Sequence, residues 1–475
     1  MPTIFKSVKP FLPELASAAI LSLAFPPVNL VLLAFVGLAP LLRALIEDSG
    51  KAAFWRGWRF GYVFYLIQLI WLGQFVFKWT QMAWIGILVT LLGPLVLCWV
   101  FGFAALAVNR AWQVRRPWII PLVWLLAEFV VGRQGPFAFP WSPLALPLAQ
   151  MPELVQWAAY GQIGLVSAWV CLASVCLVMV GQKWEPRVTA RYVTVFLLML
   201  VGTFALMLRP LPGRKLVVAA AQPGIDVAFG DRSQLASVCR DLYAQAAGAN
   251  LVVFPERITE GGNPPFDPDP TLPALFGGSR TVETTTYQSA YTTAPKPAFA
   301  DKTQLVIFGE YVPFRQYLPA SFRLPQADLT PGETIRTLSV GEVRVGPQLC
   351  FEALFPHVGY SQTQQGAQLI AVMAIDDWYL GSAAPEQLQL ASRIRAIESG
   401  LPLVRSATMG RSLIFDAFGR TVALAEYGQR RVIRATVQVP DGSPNPPARG
   451  WVPFLAAFMV LGGLTLRADR RPTPA

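Results

Sequence analysis

Val343-Arg344-Val345-Gly346-Pro347-Gln348-Leu349-Cys350-Phe351-Glu352 is the stretch on which the reading of this chain turns. A β-branched run reads as a strand, and it ends in a thiol followed two residues later by a carboxylate. Upstream, Glu256 closes Leu251-Val252-Val253-Phe254-Pro255, and Lys302 stands eight residues before Glu310 in Phe308-Gly309-Glu310-Tyr311. Working outward, residues from about 212 to 445 alternate β runs with helical segments. The runs 215–221, 251–254, 304–308, 343–349, 369–375, 403–407, 411–415 and 431–439 read as strands. Residues 234–248 and 385–399 read as helices, the second opening on Pro385 and closing at Gly400. Asp416-Ala417-Phe418-Gly419-Arg420 reads as a hairpin turn, and the Thr- and Pro-rich stretch 261–297 as loop. Buried strands alternating with helices make this block a layered α/β domain.

The block is set in a membrane chain. The 475 residues are 54% hydrophobic and 14% charged, with a mean hydropathy of +0.44. That excludes a soluble globule and a disordered chain. Crossing a bilayer takes roughly 20 apolar residues. Seven candidate spans precede the polar block, at about 11–26, 28–46, 57–77, 83–108, 117–132, 160–181 and 191–208. Glu14 and Glu128 weaken the first and fifth. Lys6 and Lys9 before an apolar run also suit a signal peptide, but Pro26-Pro27 and another span follow instead of a cleavage site, so a retained helix is expected. An eighth apolar stretch, about 451–466, follows a Pro-rich linker at 441–447. The expected division is therefore 1–210 membrane domain, 211–445 catalytic domain, and 446–475 final span with a basic tail.

Basic residues favour the cytoplasmic side of short loops. Lys6 and Lys9, then Lys51, Arg56 and Arg59, then Arg110, Arg115 and Arg116, then Lys183, Arg187 and Arg191, and finally Arg467, Arg470 and Arg471 mark every second connection. The alternate loops carry little beyond Lys78 and Arg133. Both termini are then expected in the cytoplasm and the polar block on the opposite face. The net charge of +11 is mostly topology on this reading, and nucleic acid is excluded as a partner. Three of the five cysteines (Cys98, Cys171 and Cys176) fall in apolar spans, and Cys239 in a helical stretch, so no disulfide framework is indicated. With no Cys-x-x-Cys pair and a single histidine, His357, neither a metal nor a cofactor is expected.

A lone cysteine in an apolar strand is most often a small buried hydrophobe. Glu256 by itself suits a surface carboxylate at a strand end, and Lys302, beside Asp301, a solvated loop charge. His357, beyond a turn after Phe355-Pro356, is a poor candidate base. The combination is what carries chemistry. A thiol of pKa about 8.5 needs a base or a positive neighbour to become nucleophilic. A carboxylate shielded by apolar residues takes the proton. An ammonium stabilises the thiolate and the oxyanion of a tetrahedral intermediate. Glu310 and Glu352 are supporting carboxylates on this reading.

The same residues resemble the nitrilase superfamily, with its glutamate-lysine-cysteine triad, and within it the bacterial apolipoprotein N-acyltransferases. The likeness runs over nearly the whole chain. Leu23-Ala24-Phe25-Pro26-Pro27 resembles the family's first-helix ending, and Phe139-Pro140-Trp141 its Phe-Pro-Trp. Its Pro-Glu falls on Pro255-Glu256, and its Lys-x-x-Leu-Val-x-Phe-Gly-Glu-Tyr-Val-Pro on Lys302 to Pro313. Its Cys-Tyr/Phe-Glu falls on Cys350-Phe351-Glu352; Arg395-Ala396-Ile397-Glu398 and Arg405-Ser406-Ala407-Thr408 resemble its late helix and strand. Two departures stand out. The segment from Glu256 to Lys302 is short and lacks the family's helix, and Ile375-Asp376-Asp377-Trp378-Tyr379 replaces its Asn-Asp-Ala-Trp-Phe.

The resemblance implies a polytopic α-helical membrane domain carrying an αββα nitrilase-like sandwich on the periplasmic face of the bacterial inner membrane, as a monomer. It implies Glu256 as general base, Lys302 as oxyanion donor and Cys350 as nucleophile, with Phe351 and Trp378 lining the substrate cleft. The implied partners are a phospholipid acyl donor and a diacylated apolipoprotein acceptor. Two rivals remain at this level. A membrane-tethered amidase would pass the acyl group to water, and a divergent paralogue would bind lipids or envelope proteins without turnover.

Overall fold

The computed structural model describes residues 11–312, 315–317, 328–442 and 451–465. Lys6, Lys9, Pro313, linker residues 443–447 and the tail arginines lie outside the described residues. All eight apolar stretches form helix: Leu12–Ala24, Val31–Phe35 with Ala39–Ala44, Gly50–Gln68 with Ile70–Thr80, Ala83–Leu92 with Leu95–Gln113, Ile119–Val131, Ala158–Gly181, Pro186–Ala205 and Val452–Thr465. Ala83–Gln113, Ala158–Gly181 and Pro186–Leu208 are long and apolar enough to cross a membrane. Gly50–Gln68 and Ile70–Thr80, bent by 51°, make a fourth if taken as one span. Leu12–Ala24, Val31–Ala44, Ile119–Val131 and Val452–Thr465 are shorter, at most about 21 Å against a hydrocarbon core of about 30 Å.

Glu14 does not disrupt its helix, because two cations from a neighbouring helix neutralise it. Its carboxylate, fully buried, accepts from Arg56 Nη1 at 2.6 Å and Arg59 Nε at 2.8 Å. Part of the basic loop expected as a topology signal is therefore also a buried ion-pair network. Helices Gly50–Gln68 and Leu95–Gln113 pack so closely that a Cβ on Gly57 would sit 2.2 Å from the Phe101 carbonyl oxygen.

The polar block is a two-sheet sandwich. Its strands are β1 Arg214–Gln222, β2 Leu251–Val253, β3 Thr259–Glu260, β4 Ala274–Val282, β5 Thr285–Thr292, β6 Ala298–Asp301, β7 Leu338–Val340, β8 Val343–Leu349, β9 Leu369–Ala374, β10 Leu403–Ala407, β11 Ser412–Phe415, β12 Thr421–Ala425 and β13 Arg431–Val439. One sheet runs β13-β1-β2-β4-β5-β6 with β3 beside β4, and the other runs β12-β11-β10-β9-β8-β7. β1, β2 and β4 are parallel, as are β8, β9 and β10. The period of two along β1 turns Leu216, Val218 and Ala220 toward the second sheet and Ala219 and Ala221 toward helix Leu235–Gln245. Ile370 and Val372 of β9 likewise face outward, packing with Ala396 of helix Ala384–Ser399. The layers are αββα.

Two expectations are corrected. Residues 304–308 form no strand, only a single bridge between Ile307 and Tyr311. The Glu310 carboxylate accepts from the Val306 N–H, and the Gly309 and Glu310 N–H groups turn back to the Val306 carbonyl. The segment therefore closes on itself instead of joining a sheet. Second, 261–297 is not loop throughout: β4 and β5 form a hairpin paired from Leu275↔Thr292 to Val282↔Thr285. Threonine is β-branched and sits well on a pleated surface, so a stretch whose polarity reads as loop folds as paired strands.

Candidate active site

Each sequence-selected group sits just beyond the end of a strand. Glu256 follows β2 by way of Phe254-Pro255, Lys302 directly follows β6, and Cys350 directly follows β8. Glu256, Lys302 and Cys350 are 2%, 1% and 6% exposed, so all three are withdrawn from water. The backbone of Glu256 is pressed against β4, where a Cβ on Gly277 would lie 2.6 Å from Glu256 Cα. Only glycine allows that approach. Cys350 has φ +48, the left-handed region that costs a side-chain-bearing residue. It opens the short 3-10 helix Cys350–Leu354. Strand β8 thus stops abruptly, and the thiol projects from a sharp corner.

The Lys302 ammonium bridges two carboxylates. Nζ donates to Glu310 Oε1 at 2.6 Å and to Glu256 Oε1 at 3.1 Å. Glu310 Oε2 is held by the Val306 N–H at 2.8 Å. Glu352 does not face the thiol. Its Oε1 accepts from Thr303 N at 2.7 Å, Thr303 Oγ1 at 2.8 Å and Gln304 N at 3.3 Å, and its Oε2 from Leu349 N at 2.9 Å. One carboxylate therefore ties the loop after Lys302 to the strand end before Cys350.

Burial raises the Glu256 carboxyl to about 7, against the opposing pull of Lys302. Burial works against the Lys302 ammonium, but Glu256 and Glu310 override it and hold the amine above its ordinary range. The Cys350 thiol is pushed up to about 12, first by burial and then by the Glu256 charge, with Lys302 opposing. The resting arrangement is a protonated thiol that feels the charges of both the Glu256 carboxyl and the Lys302 ammonium. Burial, with Arg133 and Arg395, lowers His357 to about 4. Its ring packs edge-on to Phe355 at 5.6 Å.

Aromatic side chains join the site to the apolar helices. Trp378 stacks on Phe75 at 5.4 Å, Tyr379 meets Trp71 edge-on at 5.0 Å, and Phe351 meets Phe139 at 5.4 Å. An apolar cavity of about 300 Å³ lies beside them, lined by Phe351, Leu305 and Phe308 from the polar block and by Leu72, Val89 and Val96 from the helices. Phe351 lines this cavity, whereas Trp378 is not in its lining and packs against Phe75 and Trp79. Among the described residues no group of three or more His, Cys, Asp and Glu could hold a metal ion.

Sequence reasoning missed the support around the 375–379 loop. Arg405 Nη2 donates to Asp376 Oδ1 at 2.6 Å, both fully buried, and Thr408 Oγ1 donates to Asp377 Oδ1 at 2.5 Å. A charged residue inside the apolar run 403–407 was the available signal, since a buried arginine needs a carboxylate. The Glu128 carboxylate, which weakened the fifth span, accepts from Trp124 Nε1 at 3.0 Å and Leu144 N at 2.7 Å.

A sandwich of this order with carboxylate, ammonium and thiol at one end is of the carbon-nitrogen hydrolase class, and residues 284–444 match the family model described as carbon-nitrogen hydrolase. That match begins within the β4–β5 hairpin turn, so Glu256 lies before it. Residues 17–176 match the model described as apolipoprotein N-acyltransferase N-terminal domain. An apolipoprotein N-acyltransferase of Gloeobacter violaceus is 30% identical over 98% of this chain and 95% of its own. One of Geobacter metallireducens is 28% identical over 91% and 90% respectively. The chain belongs to the apolipoprotein N-acyltransferase family.

Proposed function

We propose that this protein moves an acyl chain from a phospholipid to the N-terminal amine of a diacylglyceryl-cysteine lipoprotein through a thioester on Cys350. The observation that carries the reading is the buried Lys302 ammonium held between Glu256 and Glu310, its charge and that of Glu256 both acting on the buried Cys350 thiol. Glu256 takes the thiol proton as sulfur attacks the sn-1 ester carbonyl. An ammonium has three N–H donors, and two are engaged by carboxylates, which leaves the third for the developing oxyanion. Collapse breaks the C–O bond, and the departing lysophospholipid oxygen takes the proton from Glu256. The acceptor amine then attacks the thioester and gives a proton to Glu256. The thiolate leaves, takes that proton, and the amide remains.

Glu310 anchors the ammonium, and Glu352 aligns the two loops that carry Lys302 and Cys350. The apolar cavity walled by Phe351 receives the acyl chain, and Trp378 braces the cleft against Phe75. We place residues 1–210 and 446–475 in the bacterial inner membrane, as seven helical spans before the sandwich and one after it, with the 211–445 domain on the periplasmic face. The basic connections at 51–59, 110–116 and 183–191 support that orientation. A single chain carries every group the reaction needs, which supports a monomer.

Mass spectrometry of the purified protein tests the reading. The expected result is a hydroxylamine-labile acyl adduct on the Cys350 peptide that chases onto a diacylated lipopeptide. Release of free fatty acid without triacylated peptide would favour a membrane-tethered hydrolase.

A further inference from the structure

We propose that Arg280, acting through Asp301, is a positioning residue for Lys302, and that strand β4 thereby spaces the ammonium from Glu256. The inference rests on the roles proposed above for Glu256, Lys302 and Cys350. Asp301 is the last residue of β6 and immediately precedes Lys302. Its Oδ1 accepts from Arg280 Nε at 2.9 Å and from Ser289 Oγ at 2.5 Å, and its Oδ2 from Arg280 Nη2 at 2.6 Å. Such a two-pronged arginine–carboxylate pair fixes orientation as well as distance. Arg280 is itself confined, because its guanidinium lies 4.2 Å from the centre of the Tyr287 ring and 4.5 Å from that of Phe299.

The strand register shows how this pair acts on the ammonium. Gly278, Ser289 and Asp301 stand in one row across β4, β5 and β6. Arg280, two residues beyond Gly278 and so on the same face, reaches diagonally across β5 to Asp301. The Lys302 N–H donates to the Gln288 carbonyl at 2.8 Å, which carries the ladder one residue past β6, and the Lys302 carbonyl accepts from Gly332 N at 2.7 Å. Successive side chains of an extended segment point to opposite faces. Clamping Asp301 on one face therefore directs Lys302 to the other, where Nζ meets Glu256 and Glu310.

Strand β4 touches both partners of the Glu256–Lys302 contact. Gly277 lies against the Glu256 backbone, and Arg280, three residues on, holds the residue before Lys302. Strand β6 is separated from β4 by β5, so the Arg280–Asp301 pair is a direct tie between the strand beside the base and the strand that delivers the ammonium. A pair that only stabilised the hairpin would change the melting temperature and leave the titration of Glu256 alone. A positioning pair changes that titration. The Lys302 charge holds the Glu256 carboxyl down against burial, so an ammonium that drifts away lets it rise.

The test compares the full chain with its Arg280→Met and Asp301→Asn variants. Two rates are followed across pH: single-turnover thioester formation with phospholipid, and alkylation of Cys350 by iodoacetamide, read on its peptide by mass spectrometry. Both variants should slow thioester formation about 10-fold, less than the loss from a full displacement of about 1 Å, with the phospholipid KM unchanged. In both, the pH midpoint should rise by about half a unit or more. The shared direction is decisive. By charge alone, removing a cation would raise the Glu256 carboxyl and removing an anion would lower it, whereas a displaced ammonium raises it in both. Arg280→Lys, which keeps the charge but not the two-pronged contact, should fall between parent and Arg280→Met. Ser289→Ala, which removes one bond to the same carboxylate, should shift the midpoint the same way by less and decides the matter if the other variants do not fold. Unchanged midpoints, or midpoints that move in opposite directions in Arg280→Met and Asp301→Asn, would overturn the proposal. If the parent is alkylated but forms no thioester, the proposed function fails, and the alkylation profiles alone still decide the positioning.

Discussion

Glu310 Oε1 lies 2.6 Å from Lys302 Nζ, closer than Glu256 approaches the same ammonium at 3.1 Å. The carboxylate outside the triad is thus the tighter partner, and the Val306 N–H fixes its other oxygen. On the proposed mechanism Glu310 holds the ammonium in place, which leaves Glu256 the looser contact that a base requires. With Glu310→Gln the ammonium has only Glu256 to pair with, and the base is locked in an ion pair. Single-turnover formation of the Cys350 thioester is expected to slow about 100-fold, within the usual range of about 10²–10⁴ for loss of acid–base function. Glu256→Gln should slow it at least as much. A near-normal rate in either variant contradicts the assigned roles.

The pH dependence follows from burial of Glu256, which sits near 7. Below that pH the carboxyl is protonated and cannot take the thiol proton; above it the carboxylate is free to do so. The rate of thioester formation should therefore rise about tenfold per pH unit below 7 and level off above it. The thiol itself, near 12, contributes no titration in that window. A flat rate between pH 5 and 7 would remove Glu256 as the base.

Gly277→Ala tests how firmly β4 positions that base. The added methyl would meet Glu256 Cα at 2.6 Å and the Pro255 carbonyl oxygen at 2.9 Å, both backbone atoms that cannot swing aside. Displacement of a reacting group by about 1 Å costs on the order of 100-fold in rate. We expect that loss in thioester formation while phospholipid binding stays within a few-fold of wild type. Unaltered turnover would mean that Glu256 tolerates displacement.

Glu352→Ala removes the one acceptor shared by Thr303, Gln304 and Leu349 N–H groups. Buried donors left unpaired cost about 1–3 kcal/mol each. The variant should unfold several degrees lower in a thermal melt and lose thioester formation, with Glu352→Gln recovering part of both. A melt unchanged from wild type would show that water replaces the carboxylate.

Filling the apolar cavity probes the acyl site. Val96→Trp adds bulk to one wall of the cavity beside Phe351. The expected result is a shift of donor preference toward shorter acyl chains, read by lipid mass spectrometry of the triacylated product. A pocket difference of one methylene is worth about 1–3 kcal/mol of discrimination. An unchanged chain-length profile would place the acyl chain elsewhere.

Much of this protein was legible in its chain. Strand ends are local features, so Val343 to Leu349 and Leu251 to Val253 announced where Cys350 and Glu256 would project. The apolar stretches announced eight helical segments, and their basic connections suggested an orientation, because burial and charge follow composition over short windows. The sequence also read Glu310 as a support for Lys302, from eight residues' separation and a family motif.

Tertiary structure decided the rest, because the deciding contacts join residues far apart in the chain. The Thr-rich stretch became a hairpin because its threonines found partners across β4 and β5. The 304–308 run lost its strand to the Glu310 side chain, a competition that propensity does not register. Glu352 found its partner in Thr303, 49 residues upstream. Glu398 met the Ile163 N–H, 235 residues upstream, just after Gly161 and Gln162 break helix Ala158–Gly181, a break that no periodicity marks. Patterns along the chain report which groups will be buried; only packing settles which donors and acceptors then find one another and which are left without a partner.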